Sequence, residues 1–282
     1  MSVTDRPIET RGEGVATTEG AGVRLVRLIG HPRLPDLDPF LLFDAFDSTD
    51  PDTYIAGFPN HPHRGFETVT YMLEGRMLHE DSLGNKGELG PGDLQWMTAG
   101  RGIIHSEMPV QEQGSLRGFQ LWVNLPKSHK MMPPRYQDIP SAKIPVVTTG
   151  GGHAKVLAGN LEGVRGPVEG GHARPTLLDV TLPPSTSTRI ELPTDAHGFA
   201  YVIDGAGQVG NPAQGVHKGQ LATFGEGGPL PIRAHEASLR LLVACAKPLD
   251  EPVVRYGPFV MNSREEIEQA FADYRAGRLD RP

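Results

Sequence analysis

Apolar and polar residues alternate in short runs along this chain, with a period of two rather than 3.6. Thr68-Val69-Thr70-Tyr71-Met72-Leu73, Leu94-Gln95-Trp96-Met97, Gly118-Phe119-Gln120-Leu121-Trp122-Val123, Thr176-Leu177-Leu178-Asp179-Val180, Phe199-Ala200-Tyr201-Val202-Ile203 and Leu239-Arg240-Leu241-Leu242-Val243-Ala244-Cys245 are β-branched or aromatic-rich and bounded by Gly, Pro or Asn. Such runs predict strands and an all-β fold. The end of the chain changes period: Ile267, Ala270, Phe271 and Tyr274 fall at i, i+3, i+4 and i+7 behind the capping-box residues Ser263 and Glu266, and Gly277 supplies a stop. One amphipathic docking helix over about 263–277 is expected.

An internal repeat organises the strands. Tyr71-Met72-Leu73-Glu74-Gly75 recurs as Tyr201-Val202-Ile203-Asp204-Gly205, and Pro91-Gly92-Asp93-Leu94-Gln95-Trp96 is echoed by Lys218-Gly219-Gln220-Leu221-Ala222-Thr223. Two copies of one β-unit follow, with expected domains 1–140 and 141–282, the second ending in the helix. Pro126, Pro133, Pro134, Pro140 and Pro145 mark an extended linker between them.

Composition narrows the classes. The 282 residues include 35 Gly and 26 Pro, a turn-rich balance, and the net charge is −7 without any Lys/Arg run, which disfavours direct nucleic-acid binding. No apolar run approaches the ~20 residues of a membrane span, and the first residues lack a basic segment followed by an apolar one. A single cysteine, Cys245, sits in an apolar strand, reads as inert and suits a reducing compartment. A cytoplasmic, monomeric protein is expected.

The candidate chemistry is concentrated in the first copy. His61-Pro62-His63 places two imidazoles on one face of an extended chain, and His105-Ser106-Glu107 repeats that spacing with an imidazole and a carboxylate. Three neutral imidazoles and one carboxylate suit Fe, Mn, Ni, Co, Cu or Zn and leave open positions in an octahedral site. A purely structural zinc site is less favoured, since those are usually four-coordinate and Cys-rich. Glu67 is a competing carboxylate, Arg64 and Arg101 could orient a carboxylate, and His79-Glu80-Asp81 reads as a solvated hairpin edge in preference to part of a cavity entrance. Phe66, Trp96, Met97 and Ile104 could line an apolar slot, or form barrel core.

The strings His61-Pro62-His63-Arg64-Gly65-Phe66-Glu67, Pro91-Gly92-Asp93 through His105-Ser106-Glu107, Phe119 to Pro126 and Gly257-Pro258-Phe259-Val260-Met261-Asn262 resemble the pirin family over nearly the whole chain. That resemblance implies a bicupin, two tandem jelly-roll barrels with a short C-terminal helix, and one metal, usually iron as Fe(II), held by His61, His63, His105 and Glu107. Offsets of 130 and 127 residues carry these four onto Glu191, Pro193, Ile232 and Ala234, so a metal-free second barrel is expected, with His197 and His235 outside any pair of the right spacing. The resemblance further implies a quercetinase-type dioxygenase that cleaves a flavonol or other flat aromatic substrate with O₂, with release of CO and with Glu107 as general base. Its alternative is a non-catalytic, iron-dependent regulator of a protein partner, a transcription factor or a metabolic enzyme. An open mouth onto the metal would favour the first, a closed cavity with a charged rim the second.

Overall fold

A computed structural model describes residues 4–111 and 113–281, and nearly every regular element in it is a strand. The chain divides into two compact units, with the internal boundary between Ser141 and Ala142, one residue from the expected position, but with the terminal segments assigned differently. One unit joins Val15–Ser141 to Leu249–Pro282; the other joins Met1–Gly14 to Ala142–Pro248. The terminal segments are thus exchanged relative to the expected division, because the N-terminal one pairs with a sheet remote in sequence and the C-terminal one packs its apolar side chains on the first barrel. Strand β1 (Thr10–Glu13) pairs antiparallel with Gln220–Phe224.

The first unit contains β2 (Val15–Glu19), β3 (Val23–Ile29), β4 (Phe40–Ser48), β5 (Phe58–His63), β6 (Phe66–Glu74), β7 (Met77–Asp81), β8 (Lys86–Leu89), β9 (Leu94–Thr98), β10 (Ile103–Pro109), β11 (Leu116–Asn124) and β12 (Arg135–Ile139). They form a seven-stranded sheet in the order β12-β9-β6-β11-β4-β3-β2 and a four-stranded sheet in the order β5-β10-β7-β8. The same seven-plus-four arrangement recurs in the other unit, where Thr176–Leu182, His197–Asp204 and Leu239–Ala246 lie in the larger sheet. This is the duplication expected from the repeat, in the two-barrel cupin form that the family resemblance implies.

The proline-marked segment is not a free linker. Its central five residues are β12, which pairs with β9 from Arg135↔Thr98 to Ile139↔Leu94. Pro134 and Pro140 stand just outside an edge strand, where their missing N–H groups cost no ladder bond.

Helix α1 (Arg264–Arg275) has its capping box in place: Ser263 Oγ accepts from Glu266 N at 3.3 Å, and Glu266 Oε2 accepts from Ser263 N at 3.1 Å. Ile267 and Ala270 are buried with Phe259, Met261 and Leu279, and Ile104 of β10 packs against this cluster. The helix therefore closes the first unit, not the second. Arg64 reaches it, donating to Asp273 Oδ2 at 2.9 Å, so Arg64 serves this docking and not a carboxylate at the site.

In the second unit Cys245 is buried, and burial pushes its thiol up to about 12, out of the reactive range. No helix among the described residues is long and apolar enough to cross a membrane.

Candidate metal centre

Strand β5 lies at the edge of its four-stranded sheet, where Pro59 and Pro62 are tolerated, and its alternation turns His61 and His63 to the same side. Its neighbour β10 runs antiparallel, with His105 directly opposite His61. The three rings gather into one cluster, edge-on or tilted to one another: centroids are 4.7 Å apart for His61 and His63, 4.3 Å for His61 and His105, and 5.0 Å for His63 and His105. One ligand nitrogen from each lies within 4.8 Å of the others, a group able to hold a metal ion.

Hydrogen bonding says which nitrogens face inward. His61 Nδ1 meets Pro59 O at 2.8 Å, His63 Nδ1 meets Pro258 O at 3.3 Å, and His105 Nδ1 lies 3.4 Å from His79 Nδ1. His63 Nε2 and His105 Nε2 are buried without any hydrogen-bond partner. An unpaired polar atom in the interior is costly, and two of them converging on one point is the arrangement that a bound cation satisfies. The residues present fit a divalent metal.

The turn after His63 needs glycine. Gly65 has φ +92°, and a Cβ there would stand 1.9 Å from Val260 O. Lys130, buried, donates from Nζ to Gly65 O at 2.7 Å, Asn124 Oδ1 at 2.7 Å and Val260 O at 3.0 Å, which clamps this turn to the hairpin carrying Pro258. Burial lowers its ammonium to about 8.

Glu107 is not drawn into the imidazole cluster. A β-bulge between His105 and Glu107 shifts the register against β5, so Glu107 faces Phe58 instead of Pro59. Its carboxylate, 3% exposed, is tied off: Oε1 accepts from Thr70 Oγ1 at 2.8 Å and Oε2 from Gln120 Nε2 at 3.0 Å. Thr70 Oγ1 also lies 2.6 Å from Gln120 Oε1, closing a three-membered ring of side chains. Glu67, the competing carboxylate, accepts from Thr98 Oγ1 at 2.7 Å and is not among the residues lining the cavity.

That cavity measures about 1120 Å³ and reaches the surface beside Tyr256, which is 69% exposed. Its polar lining includes His61, His63, Thr70, Glu107 and Gln120 together with the charged Arg27, Asp44 and Arg255, and its apolar lining includes Leu25, Leu42, Phe46, Phe58, Met77 and Trp122. Phe66, Trp96 and Met97 are core instead, each 0% exposed, and Ile104 packs under the helix. These four candidates do not line the slot because its apolar wall, apart from Phe58 of β5 and Met77 of β7, comes from β3, β4 and β11, which the topology brings across from elsewhere. Trp122 of that wall meets the cluster edge-on, its ring centroid 5.1 Å from that of His63, with the Arg255 guanidinium 4.8 Å above it.

His79 and Asp81 were not legible as interior residues. Both side chains are fully buried, His79 stacking on Tyr136 with centroids 4.6 Å apart, while Glu80 between them points out to Lys86. Their spacing, i and i+2 like the two histidine-bearing pairs, was the available signal.

The second unit carries no imidazole at the corresponding places. There Ile190 faces Leu230 and Thr188 faces Ile232, just as His63 faces Ile103 and His61 faces His105. A single offset of 127 therefore aligns both strands, and the counterparts of His61 and His63 are Thr188 and Ile190, not Glu191 and Pro193. Ile190, Ile232 and Ala234 belong to that unit's hydrophobic core.

Burial, and after it the neighbouring imidazoles, holds His63 and His105 well below the ordinary histidine range. In the unfolded chain they titrate near ~6.5, so below that pH the unfolded state binds protons the folded state refuses. Their contribution to stability is complete above about 6.5 and is lost as pH falls. Urea unfolding of the metal-free protein should therefore weaken by up to about 3 kcal/mol per pH unit between roughly pH 6.5 and 5.5, with about half that slope remaining in His105→Ala. An equal slope in the variant would show that other groups govern acid sensitivity.

Comparison with known proteins follows this geometry. Residues 22–123 match the family model described as Pirin, and residues 177–280 match that described as the Pirin C-terminal cupin domain. A Pseudomonas aeruginosa protein provisionally named a quercetin 2,3-dioxygenase is 52% identical over 272 residues, covering 94% of this chain and 95% of its own. Human pirin is 45% identical over 264 residues, 92% of this chain and 88% of its own. A crystal structure of quercetin 2,3-dioxygenase from Acinetobacter baumannii superposes with a TM-score of 0.90 at 31% identity, covering 98% of this chain and 99% of that one.

Proposed function

The chain belongs to the pirin family, and from that premise we propose that it is a metal-dependent dioxygenase that opens the heterocyclic ring of a flavonol with O₂ and releases CO. His61, His63 and His105 would hold the metal, Glu107 is the general base and the remaining candidate ligand, and Fe(II) is the ion proposed for this nitrogen and oxygen donor set. When bound, the metal supplies Lewis acidity toward a substrate oxyanion and a partner for O₂.

The observation that carries this reading is the pair of partnerless buried Nε2 atoms, on His63 and His105, beside a roomy, open cavity with a carboxylate on its wall. The apolar wall from Phe58 to Trp122 suits a flat aromatic ring system, and drug-sized pockets of roughly 300–1000 Å³ bury such ligands well. Glu107 accepts the substrate hydroxyl proton, and Thr70 and Gln120 hold its two oxygens in place before and after that transfer. The mouth beside Tyr256 supports turnover over the regulatory alternative, which called for a closed cavity with a charged rim, although Arg27, Asp44 and Arg255 do line this one.

The test is O₂ uptake and CO release with quercetin after reconstitution, metal by metal, with Fe(II), Mn(II), Co(II), Ni(II), Cu(II) and Zn(II). Quercetin-dependent CO release by at least one redox-active form, highest with Fe(II), is expected. Absence of CO with stoichiometric metal bound would overturn the dioxygenase reading and direct attention to a pull-down comparing Fe(II) and Fe(III) forms.

A further inference from the structure

The three imidazoles do not end on the same kind of partner. Behind His61 and His63 stand backbone carbonyls, Pro59 O and Pro258 O, which can only accept, so each ring must be protonated at Nδ1 and present Nε2 as a lone pair. Behind His105 stands another imidazole, 3.4 Å from Nδ1 to Nδ1. An imidazole nitrogen can donate or accept, so His79 by itself leaves the tautomer of His105 undetermined.

The next link decides it. His79 Nε2 lies 3.4 Å from Asp81 Oδ2, and both side chains are fully shielded from solvent. Asp81 is anchored as an acceptor by its own turn: Oδ1 accepts from Leu83 N and Asn85 N, each at 3.0 Å, and Oδ2 from Asn85 Nδ2 at 2.9 Å. Held this way, the carboxylate requires the proton of His79 to sit on Nε2. His79 Nδ1 is then a lone pair, His105 Nδ1 must be the donor, and His105 Nε2 is left bare on the side facing His61 and His63. The stack on Tyr136 fixes the plane of the His79 ring, so the acceptor is aimed as well as oriented.

We propose that His79, set by Asp81, is a positioning residue that locks His105 in the Nδ1–H tautomer with Nε2 turned to the other two imidazoles. This rests on the reading that the three histidines hold a metal, and it assigns the buried His79-Asp81 pair a role in preparing one ligand. Partners that orient a ligating imidazole typically alter metal affinity by about 10- to 100-fold.

The experiment uses the full chain and Co(II) as probe, titrated against a chelator of known affinity and followed by its visible absorption. His79→Phe keeps a flat ring on Tyr136 but removes the acceptor; His79→Gln restores an amide oxygen near the same place. Wild type should bind one Co(II), His79→Phe should bind it about 10- to 100-fold more weakly with an altered spectrum, and His79→Gln should recover part of the loss. Failure of wild type to bind Co(II), Fe(II) or Ni(II) would remove the metal reading itself. Tight binding by wild type, lost in His105→Ala but unchanged in His79→Phe, would overturn the positioning role alone. Should His79→Phe not fold, ¹⁵N imidazole spectra of the metal-free wild type decide: Nδ1–H on His105 with Nε2–H on His79 is the expected pair, and the opposite tautomer on His105 would overturn it.

Discussion

His63→Ala and His105→Ala are expected to fold, to retain no first-row divalent metal through gel filtration, and to lose quercetin-dependent O₂ uptake by at least about 10³-fold. Removing one of three imidazoles takes away a ligand, a larger loss than the 10- to 100-fold attached to partners behind a ligand. The fold should survive because each of these side chains ends in a buried nitrogen without a partner, so truncation removes a desolvation cost along with the packing it loses. Metal-free stability should accordingly stay within about 2 kcal/mol of wild type. The contrast appears on adding metal. Wild type should gain about 2.7 kcal/mol at a free metal concentration a hundredfold above its dissociation constant, and the variants should gain none. Thermal unfolding with and without metal, beside atomic absorption, checks both halves. Full metal retention by either variant would exclude that histidine from the centre.

These outcomes follow from features that were partly visible in the sequence and partly not. The β-branched and aromatic runs bounded by turn residues located β6, β9 and β11 to within two residues at either end, because strand composition is a local property even where, as in β6 and β9, both faces are buried. The i, i+2 pairing of His61 with His63 was local too. What pairs with what is not local. The exchange of terminal segments, the docking of α1 against β10 and the recruitment of Trp122 and Tyr256 to the cavity depend on contacts between residues remote in sequence, such as Thr10 with Thr223. The same limit explains β12: five prolines around it read as linker, while pairing to β9 makes the intervening residues a strand. Glu107 illustrates a finer one. Strand spacing put it beside His105 at the metal, whereas its carboxylate is held by Thr70 and Gln120, partners on β6 and β11 that spacing along β10 does not reveal.

The duplication sharpens the chemical reading. Both units build a seven-stranded and a four-stranded sheet in the same order, so the scaffold alone does not create the centre. Where His63 and His105 stand in one unit, Ile190 and Ile232 fill the other, each at most 1% exposed. A barrel at this position packs well with isoleucine, and the histidines cost their unit two unsatisfied interior nitrogens. Carrying that cost in one copy is consistent with a ligand that repays it there.

Glu107→Gln is expected to fold, to keep its metal on the three imidazoles, and to lower kcat for a flavonol by about 10²- to 10⁴-fold, the range general-base catalysis spans. The ring of side chains around it makes the substitution unusually clean. An amide oxygen can accept from Gln120 Nε2, while its NH₂ donates to Thr70 Oγ1, and Thr70 then donates to Gln120 Oε1, which already lies 2.6 Å away. Every polar atom in the ring stays satisfied, so the loss reports the missing proton acceptor and not a collapsed wall. Thr70→Val provides the contrast: it keeps the carboxylate and one of its two donors, and should cost about tenfold or less. Metal analysis on the same preparations separates the two roles open to Glu107. Retained metal with a collapsed kcat assigns it as the base. Lost metal assigns it as a ligand whose carboxylate must leave Thr70 to reach the imidazoles. A kcat within about threefold of wild type, with metal bound, would remove Glu107 from the chemistry and leave the substrate hydroxyl to lose its proton to solvent through the open mouth of the cavity.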